Sequence, residues 1–284
     1  MRFVSTRPEG LLFIAMLALA NLAAWGPTVQ QTLLPHDLAD TRRLLGIDNA
    51  LNVVSNLPLA FAAVAGGWTL WRAPAGAVSN KQRAMSLLFF CGAALLSHGA
   101  SLYHFDPQLR FLAGERYAMA FVLAGLVGLA GAGHVSERAG ASLGLGSLAL
   151  GVLAVRVLGA GGNLFPWTVF QFGAIVLVWC MAVAPPRLHA LPITWTMVLL
   201  AFALSTLLGA HDHAIFAATH GWVSGETLAH LATSFLVWPV VSGIAQASQW
   251  QRDSALDPFM DDALQRLIAR CAPARPASSA VAGS

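Results

Sequence analysis

Hydrophobic residues in this chain gather into long runs broken by short polar punctuation, and the runs have the length needed to cross a bilayer. A spanning helix takes about 20 mostly apolar residues, because a rise of 1.5 Å per residue then covers roughly 30 Å of hydrocarbon. On that criterion the sequence predicts helices at 10–28, 48–71, 84–104, 117–134, 141–159, 165–184, 193–210 and 226–247. The breaks carry turn chemistry: Gly26-Pro27, Ala73-Pro74-Ala75-Gly76, Gly159-Ala160-Gly161-Gly162 and Pro185-Pro186. The predicted fold is all-α, a polytopic transmembrane helical bundle with a seven-helix core and one N-terminal helix. Residues 1–35 form the N-terminal segment, 36–250 the seven-helix membrane domain, and 251–284 an amphipathic tail that ends disordered in Pro, Ala and Ser. Arg2 and Arg7 ahead of a short apolar run also fit a cleaved signal peptide; a retained transmembrane anchor is the expectation.

Composition makes lipid the solvent. Hydrophobic residues are 57% of the 284 and charged residues only 10%, against about 25% charged in soluble domains. The net charge of +3 is small and dispersed, which argues against nucleic acid as a partner. Cys91, Cys180 and Cys271 show no CxxC spacing, and the two inside apolar runs read as packing residues. Lys81 is the sole lysine among many arginines, a style that suggests a GC-rich bacterial source and so an inner membrane.

Orientation follows from where those cations fall, since cytoplasmic loops keep the positive charge. With the N-terminus inside, Arg2, Arg7, Arg72, Lys81, Arg83, Arg138, Arg187, Arg252, Arg266, Arg270 and Arg275 are cytoplasmic, and so is the C-terminus. Arg42, Arg43, Arg110 and Arg116 are outside, and Arg156 lies within a span, where it pairs with an acid or snorkels.

Polar groups at span ends are costly and therefore mark function. Asp48, Asn49, Asn52 and Asn56 open the second predicted span, His98 and His104 close the third, Glu115 and Arg116 open the fourth, and Glu226 and His230 open the eighth. His211, Asp212, His213 and His220 fill the loop before it. All of these approach the outer leaflet, whereas the inner side has only His134 and His189. Glu226 and His230, four residues apart, share one helix face. With His104 they make a His₂Glu set of the kind that holds catalytic zinc with an open position, although such a pair is more often an interhelical hydrogen bond. His98 reads as a packing histidine and the loop histidines as solvated. Asn52 and Asn56 read equally as interhelical glue or as shaping the site.

These residues resemble the alkaline ceramidase family, within the seven-helix membrane hydrolases that include adiponectin-receptor-like proteins. The resemblance runs from about 36 to 240. It is carried by His36-Asp37-Leu38-Ala39-Asp40-Thr41-Arg42, Leu45-Gly46-Ile47-Asp48-Asn49, Val53-Val54-Ser55-Asn56-Leu57-Pro58, Leu102-Tyr103-His104, Glu115-Arg116-Tyr117-Ala118-Met119, Asp212-His213-Ala214-Ile215-Phe216 and Ser224-Gly225-Glu226-Thr227-Leu228-Ala229-His230-Leu231. It implies a zinc amidase that cleaves the N-acyl bond of a ceramide-like membrane lipid. His104 and His230 then match metal histidines. Glu226 stands where the family has a third histidine, Glu115 where it has an aspartate, and Ala100 where it has a serine, with Ser101 adjacent as the substitute. A carboxylate ligand adds negative charge and weakens the Lewis acid.

Two readings follow: a variant zinc hydrolase with His104, Glu226 and His230 as ligands and Glu115 and Ser101 in catalysis, or a degenerate, receptor-like or structural protein that binds lipid or metal. In eukaryotic relatives acids near Asp37, Asp40 and Asp48 bind calcium; here they alternate with Arg42 and Arg43, and a salt-bridge cluster is the expectation.

Overall fold

The computed structural model describes residues 7–30 and 37–271, with 255–271 as backbone only. His36, and the disordered tail expected at 272–284, lie outside the described residues. The described chain folds into helices α1 (Arg7–Trp25), α2 (Ala50–Val54), α3 (Leu57–Trp71), α4 (Asn80–Phe105), α5 (Leu109–His134), α6 (Glu137–Gly161), α7 (Phe165–Ala182), α8 (Trp195–Ala210), α9 (Asp212–Ala218), α10 (Gly225–Ser234) and α11 (Val237–Cys271). Among the described residues, seven helical segments are long and apolar enough to cross a membrane, and eight if the bent α8–α9 pair counts as one. The protein is an all-α integral membrane bundle.

The eight predicted spans map onto these helices with three departures. The second and eighth are each broken, as α2–α3 and α10–α11. Pro58 and Pro239 stand in the first turns of α3 and α11, where a missing N–H costs nothing to the following helix but ends the preceding one. The seventh is a 16-residue helix that turns by 78° into α9. Beyond the eighth span, α11 continues without interruption through the predicted boundary at 250.

Helix α5 is the axis of the bundle. Every residue from 122 to 133 is buried, as expected of a helix that is apolar on all sides. Small residues let its neighbours approach, the usual device where lipid supplies no hydrophobic drive between helices. At Gly140 of α6 an added Cβ would stand 2.6 Å from the Ala132 nitrogen and the Gly128 carbonyl oxygen of α5. Helix α1 has no buried residue, yet it lies against α6 and α7 through Leu12, Ala15, Met16 and Leu19, and Ser136 donates to Glu9 near its start. Phe61, Val64, Leu200 and Trp238 are exposed around the bundle, an outer surface suited to acyl chains.

Several side chains face differently from the expectation. His98, Cys91 and Cys180 were expected to pack, but all three are exposed. Where lipid is the solvent, the outer face of a helix is as apolar as its inner face, so apolar surroundings do not mark the core. Arg156 is also exposed and has no ion-pair partner among the described residues, which leaves the snorkelling alternative.

The loop before α2 folds over the end of the bundle where α4 stops and α5 and α10 start. Asp40 is buried there, and Arg42 donates from Nε and Nη2 to its two oxygens at 2.8 and 2.7 Å. Burial pushes the Asp40 pKa up, but the hydrogen bonds and charge of Arg42 outweigh it and hold the carboxyl below its ordinary value. The pair therefore stabilises the loop above the ordinary carboxylate range and is lost as pH falls through the lowered value. Arg42 also donates to the Trp222 carbonyl at 2.9 Å, which ties this loop to the start of α10. Arg43 and Asp48 form an exposed pair at 3.5 Å. With Asp37 exposed and Asp40 committed to Arg42, these acids do not gather into a cation site among the described residues; the salt-bridge pattern is what forms.

Candidate metal centre

His104 is the penultimate residue of α4, and Glu226 and His230 occupy the first turns of α10, so the cluster joins helices more than 120 residues apart in sequence. The His104 and His230 Nε2 atoms are 3.1 Å apart. Glu226 Oε1 lies 3.7 Å from the first and 3.5 Å from the second. Ligand atoms held about 2.0–2.2 Å from a tetrahedral ion stand about 3.3 Å from one another. The three donors thus have the separations that one small cation imposes, and among the described residues they are the one group of this kind. His104 is buried at 1% exposure, while Glu226 and His230 are half-buried.

The surrounding hydrogen bonds fix one imidazole. His230 Nδ1 lies 2.8 Å from Ser55 Oγ, and that hydroxyl donates onward to the Asn52 carbonyl at 3.1 Å. Asn56 Nδ2 lies 3.4 Å from the same ring nitrogen, so Ser55 and Asn56 together hold the Nδ1 edge of His230 and turn its Nε2 toward Glu226 and His104. Such a partner on the second ring nitrogen is what sets the orientation of a metal-binding histidine.

The start of α10 is held just as firmly. Ser224 caps it by accepting from Thr227 N–H at 3.1 Å. Asp212 accepts from the Glu226 N–H at 2.7 Å through one oxygen and from the Ala39 N–H at 2.8 Å through the other. Asn52, fully buried, accepts from the Ser224 and Thr227 hydroxyls at 3.1 and 2.8 Å. Of the two readings left open for Asn52, the structure assigns interhelical glue. Asn56 donates to the Asn52 carbonyl at 2.9 Å and also lines the cavity beside the cluster. Gly225 completes the fit: a Cβ there would meet the Leu208 carbonyl oxygen at 2.2 Å and the Asp212 Cα at 2.7 Å. Backbone on both sides cannot yield cheaply, so Gly225→Ala is expected to displace the neighbouring Glu226. The expected result is metal binding weakened by about 10–100-fold, as for loss of a supporting contact, measured by competitive chelation.

A cavity of about 320 Å³ opens beside the cluster, lined by Glu226, His230 and Asn56, by Glu115, Arg116 and Gln171, and by apolar residues that include Leu59, Met119 and Phe202. Glu115 is half-buried on its wall and is not one of the clustered donors. Ala100 also lines it. Ser101, expected to stand in for the missing serine, does not. Its hydroxyl donates to the Val53 carbonyl at 3.2 Å, where the α2–α3 break frees a main-chain acceptor, and it is absent from the cavity wall. Adjacent helical residues point about 100° apart, so Ser101 cannot reach where Ala100 points. Ser97 adds a second α4 contact to the break by donating at 2.7 Å to the Asn56 carbonyl, which also accepts from the first turn of α3.

His211, His213 and His220 are exposed, and none joins the cluster. His213 instead binds the Asp37 carbonyl at 2.9 Å. Ser55, Asp212 and Gly225 hold the ligands, and sequence reasoning gave them no role. All three lie within the motifs quoted above, and that was the available signal.

No family model, curated protein or solved structure matches this chain.

Proposed function

We propose that this protein is an integral-membrane, zinc-dependent amidase of the alkaline ceramidase type, which hydrolyses the N-acyl bond of a membrane lipid. The observation that carries the reading is the convergence of His104, Glu226 and His230 within 3.1–3.7 Å beside a half-polar cavity inside an apolar bundle. Two imidazoles and one carboxylate favour zinc over harder cations, which take oxygen ligands. Zinc held there supplies Lewis-acid polarisation of a carbonyl and acidifies water.

The chain's own residues do the rest. Ser55 holds the Nδ1 edge of His230 so that Nε2 faces inward, and Asp212 fixes the backbone that carries Glu226. Glu115, on the cavity wall, takes a proton from attacking water and returns it to the departing amine nitrogen. Apolar residues on the other walls exclude bulk water and receive the acyl chain. Helix α8 packs on α10 but only lightly on α7, and that seam gives a lipid a sideways path from the bilayer. The excess of arginine expected on the cytoplasmic side supports a site that opens toward the outer leaflet.

One observation favours a second reading. Ala100 presents no hydroxyl to the cavity, as in a bundle that binds lipid and metal without turnover. Purified protein tested on a fluorescent ceramide and on other N-acyl lipids decides between the two. The amidase reading expects turnover that a chelator abolishes and zinc restores. It also expects Glu115→Gln to lower kcat by about 10²–10⁴-fold with metal content unchanged. Absence of turnover in zinc-loaded protein would establish the binding reading, and turnover indifferent to chelation would overturn the zinc assignment.

A further inference from the structure

The cavity contains a cation that neither the metal cluster nor the proton transfer uses. Arg116, one residue after Glu115 on α5, is half-buried and lines the cavity. Its guanidinium carbon sits 5.4 Å over the ring centre of Trp167, a residue only 2% exposed. Stacking on a buried indole fixes the plane of the guanidinium and favours its charge. Among the described residues Arg116 forms no ion pair, and its buried Nε donates to no acceptor. Gln171, one turn beyond Trp167 on α7, lines the same cavity and offers an amide donor. Buried donors normally find partners, and an unanswered guanidinium in a membrane bundle is costly.

We propose that Arg116 anchors a carboxylate on the ligand, so that the N-acyl lipid taken by this site is an N-acyl amino acid rather than a neutral ceramide. This rests on the proposed function for the position of the amide, and it adds the charge of the amine half. A single planar guanidinium matches one carboxylate through two parallel hydrogen bonds. A phosphate dianion fits less well, because Glu115 and Glu226 line the same cavity and repel the second charge. At about 320 Å³ the cavity is near the lower limit of small-molecule sites, about 300–1,000 Å³. That volume suits an amino-acid head and the first carbons of a chain, with the remainder of the chain in the α7–α8 seam.

The test compares N-dodecanoylglycine with N-dodecanoylethanolamine, which differ chiefly in the terminal carboxylate. Both are measured for displacement of a fluorescent fatty-acyl probe from purified protein in nanodiscs, zinc-loaded and chelated, with zinc content determined on the same samples. The expected result is preference for the glycine conjugate by about tenfold or more, retained after chelation. In Arg116→Gln that preference disappears while ethanolamide binding is unchanged, which shows that the variant is folded; Arg116→Lys keeps part of it. Equal binding of the two compounds to the wild type, or a preference that survives Arg116→Gln, overturns the anchor even if zinc binds normally. Failure to bind zinc, with the Arg116-dependent preference intact, overturns the metal reading and leaves the anchor standing.

Discussion

Replacing His104 by alanine is expected to empty the cluster of metal while the bundle stays folded. His104 is the most buried of the three donors and the one contributed by α4, so its loss leaves two donors on a single helix. Removal of a supporting hydrogen bond already weakens metal sites by about 10–100-fold, and removal of a ligand exceeds that. Zinc measured on the purified variant should fall from about one per chain to background, and chelator-sensitive turnover should fall with it. The fold has other supports: α4 packs along α5 through residues such as Phe89 and Ala93, about three or more helical turns from His104. Its melting temperature in detergent, compared with that of chelated wild type, should therefore change little. Undiminished zinc in His104→Ala would show that the metal sits elsewhere.

The second large effect is expected at Asn52. Its carboxamide is fully buried and receives two hydroxyl hydrogen bonds from the first turn of α10. Asn52→Ala leaves the buried Thr227 hydroxyl without its acceptor and the Ser224 hydroxyl with only Thr227 Oγ1 to donate to. A stability loss of roughly 1–3 kcal/mol follows, given the cost of an unmet buried donor and the modest worth of hydrogen bonds in membrane bundles. Because the same turn carries Glu226, zinc affinity should fall as well, although Asn52 touches no ligand. A glue residue acting through α10 predicts both losses together. Denaturation in detergent and competitive zinc titration on one preparation would separate this from a purely local effect, which would lower stability alone.

The helices were legible because bilayer thickness imposes a length that few other constraints mimic. Their breaks were not: the segments around Pro58 and Pro239 are apolar enough on average to read as single spans, and only backbone geometry shows the helix ending and restarting. Sidedness was harder still. Cys91, Cys180 and His98 were read as core because they lie in apolar runs, yet lipid accepts apolar surfaces and the bundle faces them outward. Burial in such a chain has no amphipathic signature of the kind that marks a soluble helix.

The site divides along similar lines. Glu226 and His230 share a face by simple helical spacing, and adding His104 rested on span direction together with the resemblance. Ser55, Asp212 and Gly225 act across segments far apart in sequence, through a ring nitrogen, two backbone N–H groups and a van der Waals contact. No local pattern encodes those roles. Ser101 shows the opposite error. Adjacency in sequence suggested a substitute for Ala100, whereas the turn of the helix commits its hydroxyl to a main-chain carbonyl of the broken α2–α3 span.

The central claim is that residues 104, 226 and 230 share one zinc ion, and X-ray absorption at the zinc edge of reconstituted protein tests it most directly. One zinc per chain is expected, with two imidazole nitrogens at about 2.0–2.1 Å and carboxylate oxygen at about 2.0–2.2 Å. Protein that takes up no zinc, or a zinc shell without imidazole, would contradict it.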